Sequence, residues 1–159
     1  MARISQEDKL RKQQELNQIV MDIFWQEGPE AVTYAEVARR YQTSKSAIQR
    51  YYATQADLLV FLKSALVPFV EERVEWTNEQ TVIESWFVAL NDGVDLRFRN
   101  AVEFLMREAL LYQPGLPLSK AFEIFRYRLK STFNNDVDFY ALVGKSYTIL
   151  TGGYERYDQ

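Results

Sequence analysis

The chain contains no cysteine and no histidine. The first absence excludes a disulfide framework and thiolate chemistry. The second removes the commonest general base and the commonest zinc ligand. A catalytic site would have to use carboxylates, lysine or hydroxyls alone. No nucleophile–base pair, metal-ligand cluster or phosphate loop stands out, so no enzyme activity, cofactor or metal is expected. Proline and glycine are scarce, four and six in 159 residues, too few for the many turns of an all-β protein of this size. No stretch approaches the ~20 apolar residues of a membrane span. The opening residues, MARISQEDKLRKQQEL, lack the ~7–15-residue apolar run of a secretory signal. The expectation is a cytoplasmic protein without a membrane partner.

What is present is ordinary for a globular protein: 47% hydrophobic and 26% charged residues, enough to exclude a disordered tail. The net charge of −3 argues against indiscriminate coating of nucleic acid. The charge is unevenly spread, however. Residues 1–52 hold eight Lys/Arg against seven Asp/Glu, and the remainder eleven against fifteen. Lys9, Arg11, Lys12, Arg39, Arg40, Lys45 and Arg50 fall in local groups. A local positive face is all that nucleic-acid binding requires.

The periodicity is helical throughout, with no competing strand pattern, and predicts an all-α fold. Leu16, Ile19, Val20, Ile23 and Phe24 form one apolar stripe, stopped by Gly28-Pro29. Thr33-Tyr34-Ala35-Glu36 reads as a capping box opening a short helix that buries Val37, Ala38 and Tyr41. Ser44 is a good N-cap for the next helix, in which Ile48 and Tyr52 share a face. Thr54-Gln55-Ala56-Asp57 resembles a second capping box, and Pro68 is expected to kink or break the long helix that follows. Further helices are predicted over 82–90, 96–111, 118–133 and 137–150. They are separated by Asn91-Asp92-Gly93, Pro114-Gly115-Leu116-Pro117 and Asn134-Asn135-Asp136.

Two short helices joined by a brief turn, the second polar on one side, form a helix-turn-helix pattern. Val37, Ala38, Ile48 and Tyr52 would pack the pair against the first helix, leaving Lys45, Ser46, Gln49 and Arg50 pointing outward. An α-helix fits the major groove of duplex DNA with its N-terminal residues at the base edges. Lysine and arginine can donate to guanine, glutamine can pair with adenine, and the Ala47 methyl can touch a thymine methyl. Tyr34 opens the preceding helix, where backbone N–H groups and a phenol could hold a phosphate.

Residues 16–59 resemble the DNA-binding domain of TetR-type bacterial transcriptional regulators. The match runs in register through Leu16, Ile19, Val20 and Phe24, then Gly28, then Thr33, Val37 and Ala38. It continues through Ser44-Lys45-Ser46-Ala47-Ile48, Tyr52 and Asp57-Leu58-Leu59. The resemblance implies a DNA-binding domain over 1–53 and a helical core and dimerisation domain over 54–159. It places DNA contacts on Tyr34, Lys45, Ser46, Ala47, Gln49, Arg50 and Tyr51. It also implies a homodimer on double-stranded DNA, built through the last two helices, with Phe122, Phe125, Leu129, Phe133, Tyr140, Val143 and Tyr147 at the interface. The sequence departs from the family at Gln42, where a glycine is usual and φ > 0 is needed, at Gln49, usually a tyrosine, and at Gln55, usually a phosphate-binding lysine.

Relatives of this type often hold a small apolar or amphipathic effector in the core. Phe69, Trp76, Trp86, Phe87, Phe104, Met106 and Tyr112 are the candidates here, with Arg107 as an anion partner. Aromatics at this spacing are also what a plain core requires. Glu71, Glu72, Arg73 and Glu75 read as a solvated face. Arg97, Arg99, Arg126 and Arg128 read as surface or dimer-rim charges. Asp92, Asp95, Asp136 and Asp138 sit at helix starts, where carboxylates cap rather than bind metal.

Overall fold

Ser5, Thr33, Ser44, Thr54 and Asn78 each accept the backbone N–H of the residue three further on, and so fix where five helices begin. The computed structural model describes residues 5–111, 120–134 and 137–152. Among them the chain forms α-helices and one 3-10 turn, with no strand: the fold is all-α. The helices are α1 (Gln6–Glu27), α2 (Tyr34–Arg40), α3 (Lys45–Ile48), α4 (Gln55–Glu72), α5 (Glu79–Leu90), α6 (Arg97–Leu110), α7 (Lys120–Phe133) and α8 (Val137–Leu150). They divide into two compact units, residues 1–62 and 63–159, the division falling within α4.

In the first unit, α1 buries Leu16, Val20, Ile23 and Phe24, a spacing that puts all four on one face. Gly28, at φ 88°, ends it by donating its N–H to the Phe24 carbonyl, a conformation that favours glycine. Pro29–Ala31 then makes the 3-10 turn. The core is completed by Val32, Val37, Ala38, Ile48, Tyr52, Leu58 and Leu62, all buried.

Three local expectations need correction. The Thr33 cap forms, but Glu36 does not reach back to close the box, because Arg39 and Arg40 hold its carboxylate. The helix after Ser44 ends at Ile48 rather than running to Tyr52. Arg50 and Tyr51 donate to carbonyls three residues back, so the chain tightens into turns there. Of the kink or break expected at Pro68, the break does not occur: α4 continues to Glu72 with Leu66 and Val70 buried on either side of the proline. Burial of those neighbours offsets the single ladder bond that proline cannot donate.

In the second unit, α5 packs on α6 and α8, and α6 packs on α7. Asn78 and Thr81 form a reciprocal capping box at the start of α5. Trp86 lies at the centre, 5.2 Å from the Phe98 ring and 5.0 Å from that of Phe125. Its indole N–H donates to Ser146 Oγ at 2.9 Å, and Ser146 donates on to the Leu142 carbonyl at 2.7 Å. The indole N–H and the Ser146 hydroxyl are thereby both satisfied inside the core. Lys63 Nζ stands 2.6 Å from Glu108 Oε2, both side chains largely buried. No acceptor among the described residues aligns with Lys63 as a hydrogen bond, so charge attraction holds this pair.

Candidate nucleic-acid interface

Between α2 and α3 the chain turns through Gln42, which adopts φ 54°. Thr43 N–H donates to the Ala38 carbonyl at 2.9 Å and Gln42 N–H to that of Arg39 at 3.3 Å. These two bonds make a complete Schellman turn, whose left-handed residue is usually glycine. The positive φ expected at Gln42 is therefore present on a residue with a side chain, at a cost of about 1 kcal/mol.

Ser44 caps α3 through Ala47 N–H, and its hydroxyl lies 3.0 Å from that of Ser46. Ile48 is buried completely, Ala47 and Tyr51 are half-buried, and Lys45, Ser46, Gln49 and Arg50 are exposed. One turn of helix and the turn that follows it thus present four polar side chains outward around a single apolar anchor.

Three cations of this unit are held by carboxylates. Arg39 and Arg40 both hold the Glu36 carboxylate, at 2.6 and 2.9 Å, and Arg40 also bonds Gln26 and Glu27. Hydrogen bonds from Arg39 and then Arg40 hold the Glu36 carboxyl down at about 2. Arg11 is bridged to Asp8 and Glu15. Lys45 and Arg50, in contrast, form no ion pair or side-chain hydrogen bond among the described residues, and neither do Lys9 and Lys12 of α1.

The tyrosine hydroxyls turn inward. Tyr41 donates to Glu15 Oε2 at 2.7 Å and Tyr52 to Asn17 Oδ1, fastening the α2–α3 region to α1. Burial pushes the Tyr52 phenol up to about 12, and the bond to Glu15, with burial second, raises that of Tyr41. Tyr34 donates to the Tyr52 carbonyl at 2.7 Å, and its phenol is raised by burial and by the charge of Asp57. Gln55 Nε2 donates to the Val32 carbonyl at 2.7 Å. Thr54 and Asp57 close the reciprocal capping box at the start of α4. Sequence reasoning missed the partners Glu15, Asn17 and the Val32 and Tyr52 carbonyls. Only the polar character of Glu15 and Asn17, which flank Leu16 of the apolar stripe of α1, hinted at a role.

Of the residues expected to hold an effector, Trp76 and Trp86 both lie against the Phe125 ring. Trp86 and Phe104 are buried, and the Arg107 guanidinium lies 5.8 Å from the Phe104 ring. Trp76 is half-buried, stacked against Phe133 and edge-on to Phe125, with the Arg128 guanidinium 4.0 Å above it. Phe87 has Lys145 Nζ 4.2 Å over its ring, and the Arg73 guanidinium sits 3.6 Å over that of Phe69. Met106 is half-buried, and Tyr112 lies outside the described residues. A cavity of about 10 Å³ among α5, α7 and α8 has Val82, Ile83, Leu129, Phe133, Phe139 and Leu142 in its wall, none of them an effector candidate. It has room for about one water.

Of the residues expected at a dimer interface, Phe125 and Leu129 are buried within the chain, Phe133 and Val143 are half-buried, and Tyr140 and Tyr147 are exposed. The Phe122 side chain lies outside those described. Ile124 and Tyr127 of α7 are exposed as well. Asp92 accepts the N–H groups of Val94 and Asp95, and Asp95 accepts that of Arg97, as caps do. The Asp136 and Asp138 side chains lie outside those described. Among the described residues no group of three or more acidic residues could hold a metal ion, and no helix is long and apolar enough to cross a membrane.

The chain matches no known protein-family model and no curated protein.

Proposed function

We propose that the chain is a sequence-specific DNA-binding transcriptional regulator of the TetR type, acting as a homodimer on a palindromic operator. The observation that carries this reading is the division of the cations. Arg11, Arg39 and Arg40 are tied to carboxylates, whereas Lys45 and Arg50 stand exposed beside Ser46 and Gln49 without partners among the described residues. An exposed cation without an intramolecular partner is free to displace the counterions of a phosphate backbone or to donate to a guanine edge. In this reading α2 and α3 form a helix-turn-helix, with α3 in the major groove and the rest of the chain supplying regulation and dimerisation.

Support for a second copy comes from α7 and α8. Ile124, Tyr127, Tyr140 and Tyr147 are exposed, a Cβ added at Gly144 would meet nothing, and Lys145 is the one charge among residues 139–150. Exposed tyrosine with little charge is the composition of a protein interface. A two-fold pairing there would set two copies of α3 on half-sites about one helical turn apart. Repression would follow from occlusion of the operator, and an effector that favours another helix separation would release it.

Selection of bound duplexes from a random-sequence pool, at two salt concentrations, tests the reading. The expected outcome is enrichment of a palindrome. Lys45→Ala and Arg50→Ala should each weaken binding to that site by ~1–3 kcal/mol. Sedimentation should give a dimer. A second reading, a helical dimerisation or adaptor protein that has lost DNA binding, is favoured by Gln55, where the resemblance expects a phosphate-binding lysine and where the side chain is bonded to Val32. Enrichment of no sequence, with the dimer intact, would select it.

A further inference from the structure

Two side-chain bonds cross between the start of α2 and the start of α4, each running from the first residue of one helix to the segment before the other. Tyr34 Oη donates forward to the Tyr52 carbonyl, and Gln55 Nε2 donates backward to the Val32 carbonyl, each at 2.7 Å. Val32 and Tyr52 lie outside the α-helices and their side chains are buried. The two bonds therefore satisfy carbonyls that belong to no α-helical ladder. All of α2 and α3 lies between the two crossing points in sequence. Tyr52 is held at its other end too, since its own hydroxyl donates to Asn17 Oδ1, which also accepts from Gln13 at 2.9 Å. The turns that follow α3 are thus pinned through the ring of Tyr52 to α1 and through its carbonyl to α2.

We propose that Tyr34, with Gln55 as a second arm, is a positioning residue that sets the pose of α3 for reading bases, and is not a phosphate contact. The inference rests on the DNA-binding reading above. A phenol has one proton to donate, and that of Tyr34 is committed to the Tyr52 carbonyl. A phosphodiester accepts hydrogen bonds and has none to give, so the remaining lone pairs of Tyr34 offer it nothing. The consequence for recognition is specific. Contacts to the backbone tolerate a small rotation of α3, because Lys45 and Arg50 are long and flexible. Contacts to base edges do not, because they depend on direction and register. Loosening the clasp should therefore cost sequence discrimination while leaving general affinity for duplex DNA nearly intact.

The test compares the full-length chain with Tyr34→Phe, which removes the hydroxyl and keeps the ring. Each is titrated with the selected duplex and with a random-sequence duplex, well below its unfolding temperature. Tyr34→Phe is expected to lower affinity for the selected site about fivefold, the equivalent of one hydrogen bond, and to change affinity for random duplex less than about twofold. Amide exchange at residues 50–53 should quicken in the same variant. Equal weakening on both duplexes would make Tyr34 a backbone contact and overturn the proposal. So would unchanged affinity on both, or a loss that only follows the unfolded fraction. If Tyr34→Phe fails to fold, Gln55→Leu takes its place with the same expected drop in the ratio of the two affinities and the same overturning results. Wild type selecting no duplex at all overturns the DNA reading itself, a result distinct from a selected site that the variants bind unchanged.

Discussion

The two units of the chain are held together by different means. In residues 1–62 the helices that matter are short, and α2 and α3 bury only Val37, Ala38 and Ile48 between them. Their orientation is fixed by directed bonds over long sequence separations: Tyr41 to Glu15, Tyr52 to Asn17, Tyr34 to the Tyr52 carbonyl and Gln55 to the Val32 carbonyl. In residues 63–159 the helices are longer and rings do the joining, with Trp86 between Phe98 and Phe125, and Trp76 between Phe125 and Phe133. Burial of apolar area is strong but non-directional, whereas a hydrogen bond weakens steeply when its angle is wrong. The unit that presents polar side chains in a fixed array uses the directional force. The unit that needs a stable body uses the stronger, less exacting one.

Trp86→Ala attacks the second mode and should have the largest effect. Loss of the indole at the ring cluster is expected to cost ~3–5 kcal/mol, read as a shift in the denaturant midpoint by circular dichroism. Tyr52→Phe attacks the first mode, removing one directed bond while keeping the ring. It should cost only about 1 kcal/mol in the same measurement. A cost as large as that of Trp86→Ala would erase the distinction between the units. Gln42→Gly sharpens the comparison from the other side by relieving the left-handed residue of the α2–α3 turn. A gain of up to about 1 kcal/mol is expected, and a loss would mean that the glutamine side chain contributes more than its backbone strain costs.

The smallest effect belongs to the ion pairs of α2. The Glu36 carboxyl is lowered from 4.5 to about 2 by Arg39 and Arg40. A lowered carboxyl stabilises the fold above its unfolded value and loses that contribution as the pH falls through its folded one. Acid titration of the native chain should therefore show stability declining from about pH 4.5 to about 2. Glu36→Gln should flatten that stretch of the curve, and an unchanged slope would show that the pairs are inert.

Much of the first unit was legible because its signals are local. The caps at Thr33, Ser44 and Thr54 depend on residues three apart, and the exposed set Lys45, Ser46, Gln49 and Arg50 follows from the face that Ile48 must bury. The same locality explains the errors. Glu36 has the spacing of a capping box, yet two arginines one turn on compete for its carboxylate and win. The end of α3 at Ile48 was not legible, because Tyr52 is held by Asn17, 35 residues earlier, and by Tyr34, 18 residues earlier. In the second unit, helical period alone placed Phe125 and Leu129 on a face of α7 but gave no sign of what covers it. Trp76 and Trp86 lie against Phe125 within the chain, while Tyr140 and Tyr147 of α8 stay exposed.

By itself, then, the sequence determined the all-α fold, most helix starts and the polar face of α3, since caps, periodicity and turn residues act within a few positions. Tertiary structure alone decided which cations stay free, which phenols are spent inside, and which aromatic faces are already covered. Those outcomes depend on competition among partners far apart in the chain. Tyr34 is the clearest instance: its place at the start of α2 suggests a phosphate, and only the approach of the Tyr52 carbonyl turns its proton inward.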